Sequence, residues 1–330
     1  MTKDLTHGGA IDLVQAAYPN APAPWIDLST GINPWPYPNV SRQPSALNRL
    51  PTEAAMTACR TALATSLGVS PDAVLLAPGS ELLIRLLPQA IQPHRVAIVS
   101  PTYSDHKAVW TRAGAEVIDI DDPRHAASDV DAIVLTHPNN PAGRVFDRSV
   151  LEATRENMAA RRGWLILDEA YADLMPDCSL ADLSGQAGLI ILRSFGKFFG
   201  LAGLRLGAVL APDSVCETLR EILGVWPVSG AALEIGARAY ADTVWQDETR
   251  QALRAAATQL DGILARGGLA PAGGTDLFRF VNTNDAYAVF DRLAQAGIYV
   301  RRFDWSREHL RFGLPANAEE ERRLADALSL

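Results

Sequence analysis

The chain has 330 residues, 48% apolar and 21% charged, with a formal net charge of -8; that length exceeds what one hydrophobic core usually supports, so a large domain with a smaller partner is expected. The acidic balance gives no electrostatic reason to expect nucleic acid as a partner. Met1 to Ala10 is polar, and no run approaches the roughly 18 apolar residues of a membrane span, so a cytoplasmic protein without membrane contact is expected.

The proline-rich stretch from Tyr18 to Pro44 reads as an extended arm without regular hydrogen bonding. From Ala73 to about Pro212, short apolar runs alternate with helix-like stretches, the pattern of crossover units feeding a mostly parallel sheet. The runs lie at 73–79, 95–101, 115–121, 132–138, 164–170, 189–195 and 205–212, which gives seven strands in an α/β fold. Beyond Pro212 longer amphipathic helices are predicted, one over 246–266 stopped by Gly267 and Gly268 and one over 285–296 stopped by Gly297. A last helix begins near Asn317, with Glu320 placed for a capping box. Runs at 277–281, 298–303 and 309–314 read as a small second sheet. The expected organisation is an arm over 1–45 joining the small domain, a large ligand-binding domain over 46–212, and interdomain helices with a small α+β domain over 213–330.

Many strand ends in the first sheet stop at a chemically pointed residue, and ligands of open parallel sheets bind at the carboxyl ends of the strands. SFGKFFG (194–200) sets Lys197 among three phenylalanines. Apolar surroundings disfavour an ammonium ion and favour the neutral amine that Schiff-base chemistry requires. DEAY (168–171) places Asp168 where a carboxylate could pair with a protonated pyridine nitrogen, with Tyr171 three residues on. THPNNPAG (136–143) is a loop whose amide could donate to a phenolate oxygen. APGSE (77–81) opens a helix, so the amides near Gly79, Ser80 and Glu81 suit a phosphate. PTY (101–103) offers Tyr103 as a flat surface, and GLRLG (203–207) offers Arg205 as a fixed cation. Each string alone has a plain structural reading as turn, cap or packing; their joint order carries the signal. Cys59, Cys178 and Cys216 lack zinc-site or disulfide spacing and read as small buried groups, and no metal is expected.

Together these strings resemble the aspartate-aminotransferase superfamily, fold type I of the pyridoxal 5'-phosphate (PLP) enzymes, over nearly the whole chain. The resemblance implies that Lys197 is the Schiff-base lysine, that Asp168 pairs with the pyridine nitrogen, and that Asn140 and Tyr171 bond the ring oxygen. It further implies that Tyr103 stacks on the ring, and that Gly79, Ser80, Glu81, Ser194 and Arg205 surround the phosphate. Arg311, in LRFGL, would hold a substrate carboxylate as a bidentate pair.

Within the superfamily, HGG (7–9), LSTGINP (28–34) and the pair Arg301 and Arg311 resemble the threonine-phosphate decarboxylases more than the similar histidinol-phosphate aminotransferases. That resemblance implies decarboxylation of L-threonine O-3-phosphate to (R)-1-amino-2-propanol phosphate in cobalamin biosynthesis, with an aminotransferase as the alternative. It implies that His7, Ser29, Gly31, Ile32 and Asn33 border the substrate pocket, that Arg301 is a further anion contact, and that the enzyme is a homodimer. A PLP-fold sensing domain of a transcriptional regulator is disfavoured, since no basic DNA-binding element is visible. One departure stands out. Relatives carry a Tyr-Pro pair whose phenol reaches the partner subunit's cofactor phosphate, and this chain has Leu50-Pro51 there. Either another group such as Tyr37 substitutes, or the phosphate has one contact fewer.

Overall fold

The computed structural model describes residues 8–41 and 45–329. After a short β1 (Ile26–Leu28), the seven apolar runs form β2 (Val74–Ala77), β3 (Arg95–Val99), β4 (Glu116–Ile120), β5 (Ala132–Thr136), β6 (Trp164–Asp168), β7 (Leu189–Ser194) and β8 (Gly207–Leu210). They make one sheet in the order β2-β8-β7-β6-β5-β3-β4. Every neighbouring pair is parallel except those of β8, which runs antiparallel to both β2 and β7. The expected mostly parallel seven-stranded sheet is therefore the one observed.

All of β5 and nearly all of β7 are buried, as befits parallel strands covered on both faces. Leu83, Ile84 and Leu87 of the helix Ser80–Ile91, Val109 and Trp110 of Ser104–Arg112, and Leu219 of Asp213–Leu223 join Ile98, Val134, Ile166, Ile190 and Leu192 in a single core. The topology has one consequence for the site. Because β8 is reversed, its start lies at the same sheet edge as the ends of the parallel strands, with Gly207 opposite Ser194 on one side and Ala77 on the other.

The second sheet contains β9 (Pro271–Thr275), β10 (Phe278–Asn282), β11 (Ile298–Phe303) and β12 (Ser306–Gly313), in the order β1-β11-β12-β10-β9. Three of these strands match the predicted runs. The other two do not. β1 falls inside the arm read as lacking regular hydrogen bonds, yet it pairs in parallel with β11, Ile26 opposite Ile298 and Leu28 opposite Val300. The reason is local: no proline stands between Pro24 and Pro34, and Ile26 and Leu28 alternate inward around exposed Asp27. β9, Pro-Ala-Gly-Gly-Thr, carries no strand signal except its partner β10.

The predicted helices form as Thr243–Arg266, Ala286–Gln295 and Ala318–Leu328. Asn317 caps the last by accepting from the amides of Glu319 and Glu320, but the Glu320 carboxylate closes on the amide of Ala316 at 2.8 Å instead of that of Asn317. The described residues divide into two compact units. One takes those up to Trp35, Pro141–Gly143 and those from Asp247 onward; the other takes Pro36–Asn140 and Arg144–Gln246, so the helices Asp213–Leu223 and Gly230–Ala241 belong with the large sheet. No helix among the described residues is long and apolar enough to cross a membrane.

Leu192 is fully buried at the centre of β7, between β6 and β8. Leu192→Ala should lower unfolding free energy by about 2–5 kcal/mol, read as a fall in urea midpoint at constant slope; an unchanged midpoint would show that this strand does not anchor the core.

Candidate active site

At one edge of the large sheet every strand except β4 delivers part of a cavity of about 240 Å³ that lies wholly within the large-sheet unit. Gly79, Ser80 and Glu81 line it from the turn after β2, Tyr103 from the loop after β3, Thr136 and Asn140 from β5 and its loop, Asp168, Ala170 and Tyr171 from β6, Ser194, Gly196 and Lys197 from β7, and Arg205 and Leu206 from the entry to β8. All ten residues predicted to surround the cofactor thus share one cavity.

The end of the cavity at Gly79, Ser80 and Arg205 is shaped by backbone. Gly79 caps the helix Ser80–Ile91 at φ 92°, a left-handed conformation that glycine adopts without strain. A Cβ there would stand 2.8 Å from Nη2 of Arg205, so the glycine is what lets the guanidinium lie against the turn. Arg205 itself is left-handed, at φ 52°, unusual for a residue with a Cβ and a mark of a conformation imposed by its surroundings. Gly207 approaches equally closely, since a Cβ there would meet the Ser80 amide nitrogen at 2.5 Å. Free amides at a helix start, a hydroxyl from Ser194 and a guanidinium are the donor set a phosphate needs. The Glu81 carboxylate is engaged elsewhere, in an ion pair with Arg85 at 2.6 Å and as acceptor of the Tyr103 hydroxyl at 3.0 Å, leaving its amide for the anion. Burial first, then the carboxylates of Asp105 and Glu81, push the Tyr103 phenol well above its ordinary pKa and keep it protonated.

At the opposite end Asp168 is buried, with 4% of its surface exposed. Its Oδ1 accepts from the Ala170 amide, and its Oδ2 lies 3.0 Å from Nε2 of His106, itself buried. A carboxylate can only accept, so this bond places the proton on Nε2. His106 is a site residue that motif reading missed: it stands three residues after Tyr103, one turn along the helix Ser104–Arg112, and that i, i+3 spacing is the signal that could have found it.

Of the three lysines in the sequence, Lys3 lies outside the described residues, Lys107 is exposed and paired with Asp119, and Lys197 lines the cavity. The phenylalanines beside Lys197 do not line the cavity with it. Phe195 and Phe199 stack at 4.4 Å, and with Phe198, Tyr240 and Trp245 they form an aromatic core beneath the short helix Phe195–Phe198. Tyr37 belongs to that core too. It is buried, donates to Asp242 at 3.2 Å and meets Trp245 edge-on, so it is not free to replace the missing cross-subunit tyrosine, and Leu50 is exposed.

Of the predicted substrate residues, Asn140 lies in the large-sheet unit, whereas Ser29, Gly31, Ile32, Asn33, Arg301 and Arg311 lie in the unit that holds the five-stranded sheet. His7 lies outside the described residues. Ser29 is fully buried and joins several segments: its Oγ donates to Asp27 and accepts from the Gly9 amide, and its carbonyl accepts from Nη2 of Arg311 at 2.9 Å. Gly31 and Asn33 are buried and Ile32 is partly so; Asn33 Oδ1 accepts from the Trp35 amide. Arg301 and Arg311 stand directly opposite each other across β11 and β12. Like charges in that position repel, so a shared anion would relieve them. Among the described residues no cluster of three or more His, Cys, Asp or Glu could hold a metal.

The profile of the family described as aminotransferase class I and II matches residues 24–328, and the chain belongs to that family. Within it, the chain is 38% identical over 327 residues to a threonine-phosphate decarboxylase of Pseudomonas aeruginosa, covering 98% of this chain and 97% of that protein. It is 39% identical over 335 residues to a threonine-phosphate decarboxylase of Sinorhizobium sp, covering 100% and 99%. A histidinol-phosphate aminotransferase of Aeromonas salmonicida is 30% identical over 303 residues, covering 84% and 82%. The fold superposes on histidinol-phosphate aminotransferase from Sinorhizobium meliloti in complex with pyridoxal-5'-phosphate, with TM-score 0.86, 18% identity and coverage of 99% and 96%.

His137, beside the cavity loop, supplies a pH prediction. It is fully buried, its Nε2 accepts from the Phe146 amide, and burial lowers its pKa from 6.5 to about 4. The fold holds it neutral, whereas the unfolded chain gains a proton below about pH 6.5. Its contribution to stability is therefore complete above that pH and falls away between about 6.5 and 4, by on the order of 3 kcal/mol in all. Urea midpoints at pH 7 and 5 should converge in His137→Gln, whose side-chain oxygen can still accept from Phe146; an unchanged acid slope would contradict this.

Proposed function

We propose that this chain is a PLP-dependent decarboxylase that converts L-threonine O-3-phosphate to (R)-1-amino-2-propanol phosphate and CO2. The observation that carries the reading is the near-complete coverage at 38–39% identity by two threonine-phosphate decarboxylases, against 30% for the aminotransferase. The cavity offers PLP an amine at Lys197, a buried carboxylate at Asp168, and an anion cradle at Gly79, Ser80, Glu81, Ser194 and Arg205. When bound, PLP supplies an electron sink for the pair released as a bond to Cα breaks.

The residues then take distinct roles. Lys197 would hold the cofactor, and Lys197 or a water would return a proton to Cα in place of the lost carboxylate. Asp168, oriented by His106, keeps the pyridine nitrogen protonated. Asn140 and Tyr171 bond the ring oxygen, and Tyr103 packs on the ring. Arg311 takes the substrate carboxylate and Arg301 a second anion, with His7, Ser29, Gly31, Ile32 and Asn33 around them. Which bond breaks is decided by which one is held perpendicular to the ring plane, so the arginines choose the reaction by orienting the carboxylate.

A cytoplasmic homodimer belongs to the same proposal. Its support is three free cysteines, as in reducing compartments, and the exposed apolar side chains Leu47, Leu50, Val225 and Trp226. The alternative, a histidinol-phosphate-type aminotransferase, would use the same cofactor set and has the 30% identity to the Aeromonas salmonicida enzyme in its support.

Purified protein with PLP and O-phosphothreonine should release CO2 with no 2-oxo acid present; a strict requirement for 2-oxoglutarate would establish the aminotransferase. Lys197→Ala should lose at least the roughly 10²–10⁴-fold that proton transfer alone provides. Arg311→Lys, which cannot grip a carboxylate bidentately, should raise KM about 10–100-fold with a smaller change in kcat.

A further inference from the structure

Two buried charges next to the site are used by none of the roles above. Glu169 is the first residue past β6 and fully buried, and Arg193 is the next-to-last residue of β7 with 3% of its surface exposed. They are joined at 2.8 Å through Glu169 Oε2 and Arg193 Nη1. The same carboxylate accepts from Ser179 Oγ at 2.5 Å and from the Leu180 amide at 3.0 Å, and the other arm of Arg193 pairs with Asp173. Burial raises Glu169 above the ordinary carboxylate range while Arg193, Ser179 and Leu180 pull it back; Asp173 and Glu169 keep Arg193 charged.

Such a network is not explained by stability. Taking two ions out of water costs about as much as their attraction returns, and well-packed apolar residues commonly serve as well. What an ion pair provides is a defined geometry. Its place gives that geometry a use: Asp168 stands opposite Leu192 in the ladder, and the Glu169 amide makes the next bond to the Leu192 carbonyl at 2.9 Å. Just past this point the chain carries Asp168 on one side and Ser194 and Lys197 on the other.

We propose that Glu169 and Arg193 are positioning residues that lock the tip of β6 to the tip of β7 and so fix the span between Asp168 and Lys197 to the length of the cofactor. Glu169 lies within the DEAY string, whose other polar members are assigned to the cofactor itself, so one short motif supplies both the contact and the brace. The inference rests on the site assignment made above.

The test is Glu169→Gln, which keeps the shape and removes the charge. Titrated with PLP, the apoenzyme of this variant should bind about tenfold more weakly, with a shifted visible absorbance of the bound cofactor, and kcat should fall about tenfold at unchanged KM. A brace that is only structural would lower the melting temperature while leaving cofactor affinity and absorbance, measured well below it, as in the unmodified protein; that result overturns the proposal. Ser179→Ala removes one donor and no charge, and should move affinity and absorbance in the same direction by a smaller factor. If Glu169→Gln does not fold and Ser179→Ala leaves both readings unchanged, the proposal is likewise overturned. Lys197→Ala in the same titration separates the layers: unchanged visible absorbance there would sink the site assignment itself, whereas a silent Glu169→Gln beside a responsive Lys197→Ala sinks only the brace.

Discussion

The parallel pairing of β6 with β7 is the constraint on which the rest of the site depends. With Leu192 opposite Asp168, the chain leaves β7 two residues later and turns into the short helix that carries Lys197. A register slip of one residue would invert every side chain on the strand and turn Asp168 into the core. In the observed register Ile166, Ile190 and Leu192 are fully buried while Asp168 and Ser194 line the cavity. Packing energy spread over the sheet is thus what holds two polar groups at a fixed separation.

Around that axis the two ends of the cavity use different physics. The end at Gly79 relies on backbone: amides at a helix start, and glycines at 79 and 207 whose missing Cβ atoms let Arg205 and the turn close together. The carboxylate end relies on burial, with His106 and the Ala170 amide satisfying Asp168 where water cannot. In the other unit Arg301 and Arg311 stand opposite each other on adjacent strands.

Most of this was legible in the sequence for a simple reason. Each strand of the large sheet except β4 is an apolar run bounded by Pro, Gly or a polar residue, and the cavity-lining groups sit at those boundaries, so strand boundaries and candidate site residues share one signal. The features that escaped depend on partners distant in sequence. His106 acquires its role from Asp168, 62 residues away, and Arg193 from Glu169, 24 residues away. β9 exists because β10 offers an edge to pair with, since its own residues carry little strand preference. The place of Tyr37, bonded to Asp242 within an aromatic core, is announced by no local string.

The account turns on which amine bonds the cofactor, and the chain has three lysines to choose from. Borohydride reduction of the PLP-loaded protein fixes that bond, and peptide mass mapping then locates it. The phosphopyridoxyl mass should appear on the peptide containing Lys197 and be absent from those containing Lys3 and Lys107. Label on Lys3 or Lys107 with Lys197 unmodified would contradict the account at its base.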